Sequence, residues 1–419
     1  MLIRRVVVTP VAFRDPPLLN AAGVHGPWAL RTIVEIVTDE GLTGLGETYG
    51  DLDHLERVRA AAQALVGLDV YRHNAIHAAV AASVGTDVVS DLHGLTGIAT
   101  PEKTVDRVFS PFEVACLDIM GKAAGRPVVD LLGGRVRDAV PYSAYLFYKW
   151  AGHPGAAEDA FGAALDPAGL VEQARLFIGR YGFRSIKLKG GVFPPAEEIE
   201  GIRALREAFP DHPLRLDPNA AWTVDTSIEV GRALEGALEY LEDPTPGIEG
   251  MARVAAEVPM PLATNMCVVT PEHLPPAIRQ GAIGVLLIDH HYWGGLVKSA
   301  HIATLCATFG IELSMHSNSH LGISLAAMTH LAAATPAITH ACDTHTPWQD
   351  GQDVVVPGAL RFVDGAVPVP EGPGLGVELD RDALAVMHEQ YVRCGVRVRD
   401  DETYMRTFEP SFSAHRPRW

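Results

Sequence analysis

The stretch Ser185-Ile186-Lys187-Leu188-Lys189 decides the fold once it is read with the five segments that follow it. These are Leu214-Arg215-Leu216-Asp217-Pro218-Asn219, Tyr240-Leu241-Glu242-Asp243-Pro244, Pro261-Leu262-Ala263-Thr264-Asn265, Val285-Leu286-Leu287-Ile288-Asp289 and Ile311-Glu312-Leu313-Ser314-Met315-His316. Each is a short apolar run with a polar or ionisable tip. The steps between Lys187, Asp217, Glu242, Asn265, Asp289 and His316 are 30, 25, 23, 24 and 27 residues. One strand, one helix and two loops occupy about 30 residues or slightly fewer. The spacing therefore predicts an α/β fold, a (β/α) barrel with a catalytic-type side chain at the mouth of each consecutive strand.

The chain has 419 residues, room for two or three average domains, of which such a barrel takes about 250 residues. Its 47% hydrophobic and 20% charged content is ordinary for a globular protein with a large core. The apolar runs fall short of the roughly 20 residues that span a bilayer. The N-terminus, Met1-Leu2-Ile3-Arg4-Arg5-Val6-Val7-Val8, carries charges inside its apolar stretch and reads as a strand rather than a signal peptide. Five scattered cysteines (Cys116, Cys267, Cys306, Cys342, Cys394) show no CxxC or Cys/His spacing. Reduced thiols in a cytoplasmic protein are the expectation. The formal charge of −17 favours solubility and argues against nucleic acid or an anionic membrane as partner. It still allows an anionic small molecule, because a metal ion and a few cations can dominate a deep cleft. Capped barrels commonly assemble, so a homo-oligomer is expected, although no motif fixes a symmetry.

Three stretches follow one another. Up to about Gly50 the chain reads as a β-meander, with Leu2–Phe13 as one strand and a hairpin of Arg31–Val37 and Thr43–Glu47 around Asp39-Glu40-Gly41. Between them, Arg14–Trp28 reads as a long loop of the lid type. Helices are expected at His54–Leu65 and at Phe112–Ala124, the latter opened by Ser110-Pro111 as N-cap and N1. A second lid-type loop is Gly85–Pro101. Strand–helix alternation runs from about Pro141 to His345. Beyond Pro357 come a short hairpin (Leu360–Val369), a helix near Arg381–Tyr391 and an irregular basic tail.

The tips carry a chemistry of their own. Asp217, Glu242 and Asn265 place three oxygen donors on successive strand ends, with no Cys or His, which suits Mg²⁺ or Mn²⁺ with positions left for substrate oxygens. Lys187 and Lys189, two apart on one strand, face the same side. Two ammonium groups beside a divalent cation disfavour each other's protonation, so one can serve as a base. His316 lies across the mouth, and Asp289 can hold its ring in one tautomer. This set fits proton abstraction α to a carboxylate, followed by protonation of carbon or of a departing hydroxyl. Singly, each motif has an ordinary reading as a turn starter, a helix cap or a solvated edge. Their conjunction in order, at strand period, outweighs those readings. Gly44-Leu45-Gly46 is followed by no helix and does not read as a dinucleotide site.

Several of these stretches resemble the enolase superfamily, and within it the glucarate dehydratase branch. They are Ser-Ile-Lys-Leu-Lys-Gly-Gly from Ser185, Arg-Leu-Asp-Pro-Asn-Ala-Ala-Trp from Arg215, Leu-Glu-Asp-Pro from Leu241, Ala-Thr-Asn-Met from Ala263, Ile-Asp-His-His-Tyr-Trp-Gly-Gly from Ile288 and Met-His-Ser-Asn-Ser-His-Leu-Gly-Ile-Ser from Met315. The likeness runs from the Gly-x-Gly-Glu hairpin at Gly44 to the Gly-Pro-Gly-Leu-Gly-Val-Glu-Leu stretch at Gly372. The asparagine in the third metal position discriminates the branch. The resemblance implies an N-terminal α+β capping domain with lid loops (1–135), a modified (β/α)₇β TIM-type barrel (136–370) and a C-terminal segment completing the cap (371–419). It implies a Mg²⁺-dependent dehydratase of a sugar diacid, D-glucarate first among them, giving a 4-deoxy-5-keto diacid.

Carried over residue by residue, Asp217, Glu242 and Asn265 become the Mg²⁺ ligands. Lys189 becomes the base, with Lys187 beside the enediolate charge, and His316 paired with Asp289 becomes the opposite base and general acid. His25, Tyr145, Asn219, Asn318, His345 and Arg399 become substrate contacts, Arg399 with His25 receiving the distal carboxylate. Two features depart from the branch: Ser319 stands where His-Ser-Asn-Asn-His is usual, and the first loop differs in detail. Both border the distal half of the pocket, where stereoisomers such as galactarate are told apart. The same opposed pair also suits a racemase or epimerase, and a silent acid-sugar-binding homologue is the alternative from another class.

Overall fold

The computed structural model, which describes residues 1–86, 88 and 97–419, opens with an antiparallel sheet. Its strands are β1 (Ile3–Arg14), β4 (Trp28–Thr38) and β5 (Thr43–Tyr49), in the order β1-β4-β5. Between β1 and β4 sit two short paired strands, β2 (Leu19–Asn20) and β3 (Gly23–Val24). Three helices follow: α1 (Leu52–Ala64), α2 (His73–Val84) and α3 (Pro101–Ala124). The glycines of Gly44-Leu45-Gly46 let α3 lie directly on β5. A methyl group at either would collide with the carbonyl oxygens of Ala115 and Pro111.

After α4 (Val128–Leu131) and β6 (Ala139–Pro141), the alternation begins with β7 (Ala144–Phe147) and α5 (Pro167–Tyr181). It continues through β8 (Ile186–Lys189), α6 (Pro195–Ala208), β9 (Leu214–Asp217), α7 (Val224–Ala233), β10 (Tyr240–Glu242) and α8 (Gly247–Ala255). It ends with β11 (Leu262–Thr264), α9 (Leu274–Gln280), β12 (Val285–Ile288), α10 (Gly295–Thr308), β13 (Glu312–Met315) and α11 (Gly322–Ala334). Strands β7 to β13 pair in chain order, and all are parallel. They are buried on both faces, as expected for strands covered by helices outside and filled by side chains inside. The helices start on local signals. Asp166 caps α5 through Gly169 N at 2.8 Å, and Thr223 caps α7 through Thr226 N at 3.3 Å.

The eighth position of the ring holds no regular strand. Ile338 bridges Leu313 of β13, and Cys342 bridges Tyr142 just before β7, so residues 338–343 close the barrel as an irregular segment. The chain then forms β14 (Ala366–Pro368), α12 (Arg381–Cys394) and α13 (Asp401–Arg406). Helix α12 returns to the N-terminal sheet. Arg381 reaches Glu35 of β4 at 2.9 and 2.6 Å, and Tyr391 is buried with Ala12, Leu30 and Leu55. No described helix is long and apolar enough to cross a membrane.

Four local expectations are corrected. Helix α3 begins at Pro101, capped by Thr100 through Lys103 N at 3.0 Å, and Pro111 lies inside it. Ser110 is not a cap; its hydroxyl donates to the His290 carbonyl at 2.8 Å. The Leu360–Val369 hairpin narrows to one antiparallel bridge between Val363 and Ala366, and β14 pairs instead with β6, 225 residues apart at Ala366 and Pro141. Arg14–Trp28 is a mostly buried, hydrogen-bonded segment, with Leu19 N on the Tyr148 carbonyl at 2.8 Å. The tail contains helix α13. Of the loop expected at Gly85–Pro101, residues 87 and 89–96 lie outside the described residues, whereas Ile98 N donates to the Met266 carbonyl at 3.0 Å.

His330 ties α11 to both flanks of the barrel. Its Nδ1 accepts from Val129 N (3.3 Å) and its Nε2 donates to the Leu375 carbonyl (3.1 Å). Burial drives its pKa from 6.5 down to about 4, only partly offset by that carbonyl. Between those values the unfolded chain binds a proton that the folded chain refuses, so stability falls as pH drops through the window. Relative to His330→Gln, wild type should lose about 2–3 kcal/mol of unfolding free energy between pH 7 and pH 4. Denaturant titrations at several pH values measure this, and a pH-independent difference would refute it.

Candidate active site

The barrel strands end where the periodic tips said they would. Lys189, Asp217 and Glu242 are the last residues of β8, β9 and β10, and Asn265, Asp289 and His316 follow β11, β12 and β13 directly. Register makes Lys187 the neighbour of Arg215 and Lys189 the neighbour of Asp217. Lys187 is fully buried and sits among three carboxylates: Asp343 Oδ2 at 2.7 Å, Glu242 at 2.7 and 2.8 Å, and Asp217 Oδ2 at 3.5 Å. Burial opposes its charge, but Asp343, Glu242 and Asp217 outweigh burial and raise its pKa well above the usual lysine value. Lys187 is therefore a fixed cation.

Lys189 lies 2.7 Å from Asp217 Oδ2. Burial pushes the Asp217 carboxyl up, and Lys189 with Lys187 overrides it, leaving a pKa of about 2. Burial and the neighbouring Asp217 push Glu242 well above the carboxylate range. When all are ionised, three carboxylates face two ammonium groups, so the cluster is short of positive charge. Asn265 is buried beside it, and neither its Oδ1 nor its Nδ2 makes an aligned hydrogen bond, although the Tyr292 hydroxyl lies near. An amide oxygen so placed, with Asp217 and Glu242 on the two preceding strands, forms a hard-oxygen set that fits a divalent cation. Behind it, Asp243 holds Asn265 N at 2.8 Å and the Thr264 hydroxyl. Asn219, Ala220 and Asp243 carry φ values of +49°, +59° and +38°. Each costs about 1–3 kcal/mol, and such residues gather at sites that need a set geometry.

On the other side, Asp289 Oδ2 accepts from His316 Nδ1 at 3.0 Å. Burial would raise the Asp289 pKa, but His291 and His316 hold it well below the usual range, so it stays ionised. His316 Nδ1 is thereby committed, and Nε2 is the nitrogen left for the cavity that His316 lines. That cavity gathers seven of the expected residues, Lys189, His316, His25, Tyr145, Asn318, His345 and Arg399, together with Asn20, Phe147 and Ser317. Two of its lining side chains are held by carboxylates. His25 Nδ1 pairs with Asp15 at 2.9 Å, and Arg399 makes a two-point pair with Asp401 at 2.9 and 2.7 Å. Burial, with His320 and His25 nearby, lowers the His345 pKa well below the usual value, and its Nδ1 meets the Ser317 hydroxyl at 2.9 Å.

Asn219 falls outside the cavity. Its Nδ2 contacts Met266 Sδ at 3.3 Å, and its carbonyl accepts from Arg416 at 3.1 Å. Ser319 keeps its hydroxyl buried without a hydrogen-bond partner. The residue the tip sequence left out is Asp343. It comes 27 residues after His316, the same step that separates Asp289 from His316, so the period itself points to it.

Residues 169–383 match the family model described as Enolase C-terminal domain-like. A probable glucarate dehydratase of Streptomyces coelicolor is 53% identical, covering 100% of this chain and 99% of that protein. An enolase of Thermobispora bispora, crystallised with magnesium and formate, is 82% identical with a TM-score of 0.99 and full coverage of both chains. An enolase of Pseudomonas fluorescens with bound magnesium, potassium and tartrate is 47% identical, with a TM-score of 0.96, covering 100% of this chain and 99% of that one. The fold, then, is that of an enolase-type barrel enzyme. The chain belongs to the enolase superfamily.

Removing one partner of a buried ion pair costs about 3–5 kcal/mol. Asp343→Ala leaves Lys187 with Glu242, so a loss near the lower end, about 3 kcal/mol, is expected. Asp343→Asn, which keeps shape and one acceptor, should cost less. Paired denaturant midpoints test this, and equal stability of all three proteins would refute it.

Proposed function

We propose that the chain is a dehydratase of a sugar diacid, a hexarate such as D-glucarate, yielding a 4-deoxy-5-keto diacid. One observation carries the reading: a single cavity is lined by Lys189, by His316 with Asp289 paired behind it, and by His25 and Arg399, each held by a buried carboxylate. The similarity to a probable glucarate dehydratase supports it. So does the tartrate, a dihydroxy diacid, in the P. fluorescens relative.

In this reading Arg399 and His25 receive the distal carboxylate by charge-assisted hydrogen bonds and orient the chain. Lys189, in its neutral form, takes the proton from the carbon next to the proximal carboxylate, and Lys187 holds negative charge as it develops. His316 Nε2 gives a proton to the β-hydroxyl, which leaves as water, while Asp289 holds the ring and stabilises its charge. The enol left behind tautomerises to the keto acid. A divalent cation such as Mg²⁺, held by Asp217, Glu242 and Asn265, would supply positive charge beside the proximal carboxylate. Tyr145, whose ring centroid is 4.7 Å from Lys187 Nζ, and Phe147 keep water from this wall.

Incubation with a panel of hexarates and Mg²⁺ should give α-keto acid from at least one, and turnover of none would overturn the proposal. Lys189→Ala should lower kcat by at least about 100-fold, the scale of general-base catalysis, while the diacid still binds. Unchanged turnover in that variant would remove Lys189 from its role. Because the two walls could also serve two-way proton transfer, solvent deuterium entering the substrate without keto acid would favour an epimerase.

A further inference from the structure

The residues behind His316 form a chain that leaves the barrel. Asp289 Oδ1 meets His291 Nδ1 at 2.7 Å and His291 N at 2.9 Å. His291 Nε2 lies 2.8 Å from Arg31 on β4 and 2.8 Å from the Ser324 hydroxyl on α11. Arg31 in turn donates Nε to Glu47 Oε1 of β5 at 2.7 Å. Glu47 accepts Leu321 N at 2.7 Å and Ser324 N at 2.9 Å, capping α11 just beyond the loop that carries His316. Every member is buried.

The donor inventory fixes the protons. A guanidinium can only donate, so His291 Nε2 must be the acceptor and the ring proton must sit on Nδ1. Asp289 then receives an imidazole N–H on each oxygen, with the Tyr49 hydroxyl a further 3.4 Å from Oδ2. With both oxygens engaged, the carboxylate cannot turn, and the direction of the His316 ring is set with it. Asp289, His290 and His291 bring possible metal-binding atoms within 4.8 Å of one another, but the Arg31 charge on His291 opposes a cation there. Around His291 also lie the His290 ring at 4.0 Å and the Tyr49 ring at 5.5 Å, with Glu47, His54 and His320 close enough to interact.

We propose that His291 and Arg31 are positioning residues for His316, so that the N-terminal sheet, through Arg31 and Glu47, aligns the acid wall of the barrel cavity. The catalytic half of this claim rests on the proposed function; the geometric half does not. In the Mg²⁺-loaded enzyme, ¹⁵N spectra of labelled histidines should show His291 and His316 protonated at Nδ1. His291→Leu should shift the His316 signals and lower kcat by about 10–100-fold, the usual effect of an outer-shell partner, with KM within about twofold. His291→Asn, whose amide N–H can replace Nδ1–H, should restore most of the rate, which a purely structural role would not require. Should His291→Leu fail to fold, Arg31→Lys, which loses the planar donor fork, should give the same spectral shift. A His291 proton on Nε2, or an unchanged His316 signal in the variants, would overturn the proposal. Failure of the parent enzyme on every diacid counts against the functional reading, and the nitrogen spectra then decide the positioning claim alone.

Discussion

The buried ammonium of Lys187 is the constraint around which the rest of the site is arranged. Closing a barrel brings strand ends together whatever they carry, and here it brings Asp217, Glu242 and Asp343 to one buried point around Lys187. Three carboxylates so placed would repel strongly in a low-dielectric interior. Lys187, from a fourth strand and one layer deeper than Lys189, meets all three. Its charge thereby helps to hold the ring together. Lys189, two residues on, pairs with Asp217 and faces the cavity. The two lysines differ by depth and partners alone.

The work proposed for the site is divided by where residues enter. Side chains next to the bond changes stand on the barrel strands, which are short, buried and held on both edges. Those facing the far end come from outside it: His25 from the segment before β4, and Arg399 from the chain between α12 and α13. Each of these two side chains is held by its own buried carboxylate, Asp15 or Asp401, and Asn20 donates to Asp401 as well, at 2.8 Å. In the proposed reading, a reacting centre on the barrel strands thus faces recognition side chains supplied from outside them.

The same division explains how far the sequence could be read. The barrel was legible because its period is imposed by geometry, one strand and one helix at a time. The tips were legible because oxygen donors, lysines and a histidine recur in order at strand period, although each alone has an ordinary reading. Asp343 followed the same period but sat on the irregular closing segment, without the apolar run that marks a strand. Pro111 misled the reading of α3 because a proline after serine looks like a helix start, whereas Thr100, the observed cap, follows a sequence rich in Gly, Thr, Asp and Ser that carries no helical period. The pairing of β14 with β6 spans too much chain for local patterns to reveal. His291 and Arg31 were invisible for another reason: each is ordinary alone, and only the folded distance between the sheet and β12 gives them a joint role.

The shared acceptor Asp289 also bears on which reaction the cavity suits. A carboxylate engaged by two imidazole N–H groups has little tendency to take a proton from either. In the proposed reaction, proton traffic at this pair is then confined to His316 Nε2, as it is confined to one amine on the lysine side. Two single-site walls can support elimination or two-way proton transfer equally well. What separates them is whether a hydroxyl or a hydrogen points at His316, and that depends on how the far carboxylate is seated. Asn318, 3.5 Å from Arg399 and bonded to Ser319 N, links the recognition end to the loop that carries His316. In the proposed reading, the choice of substrate stereoisomer and the choice of reaction therefore fall to the same few residues, outside the periodic strands from which the barrel was read.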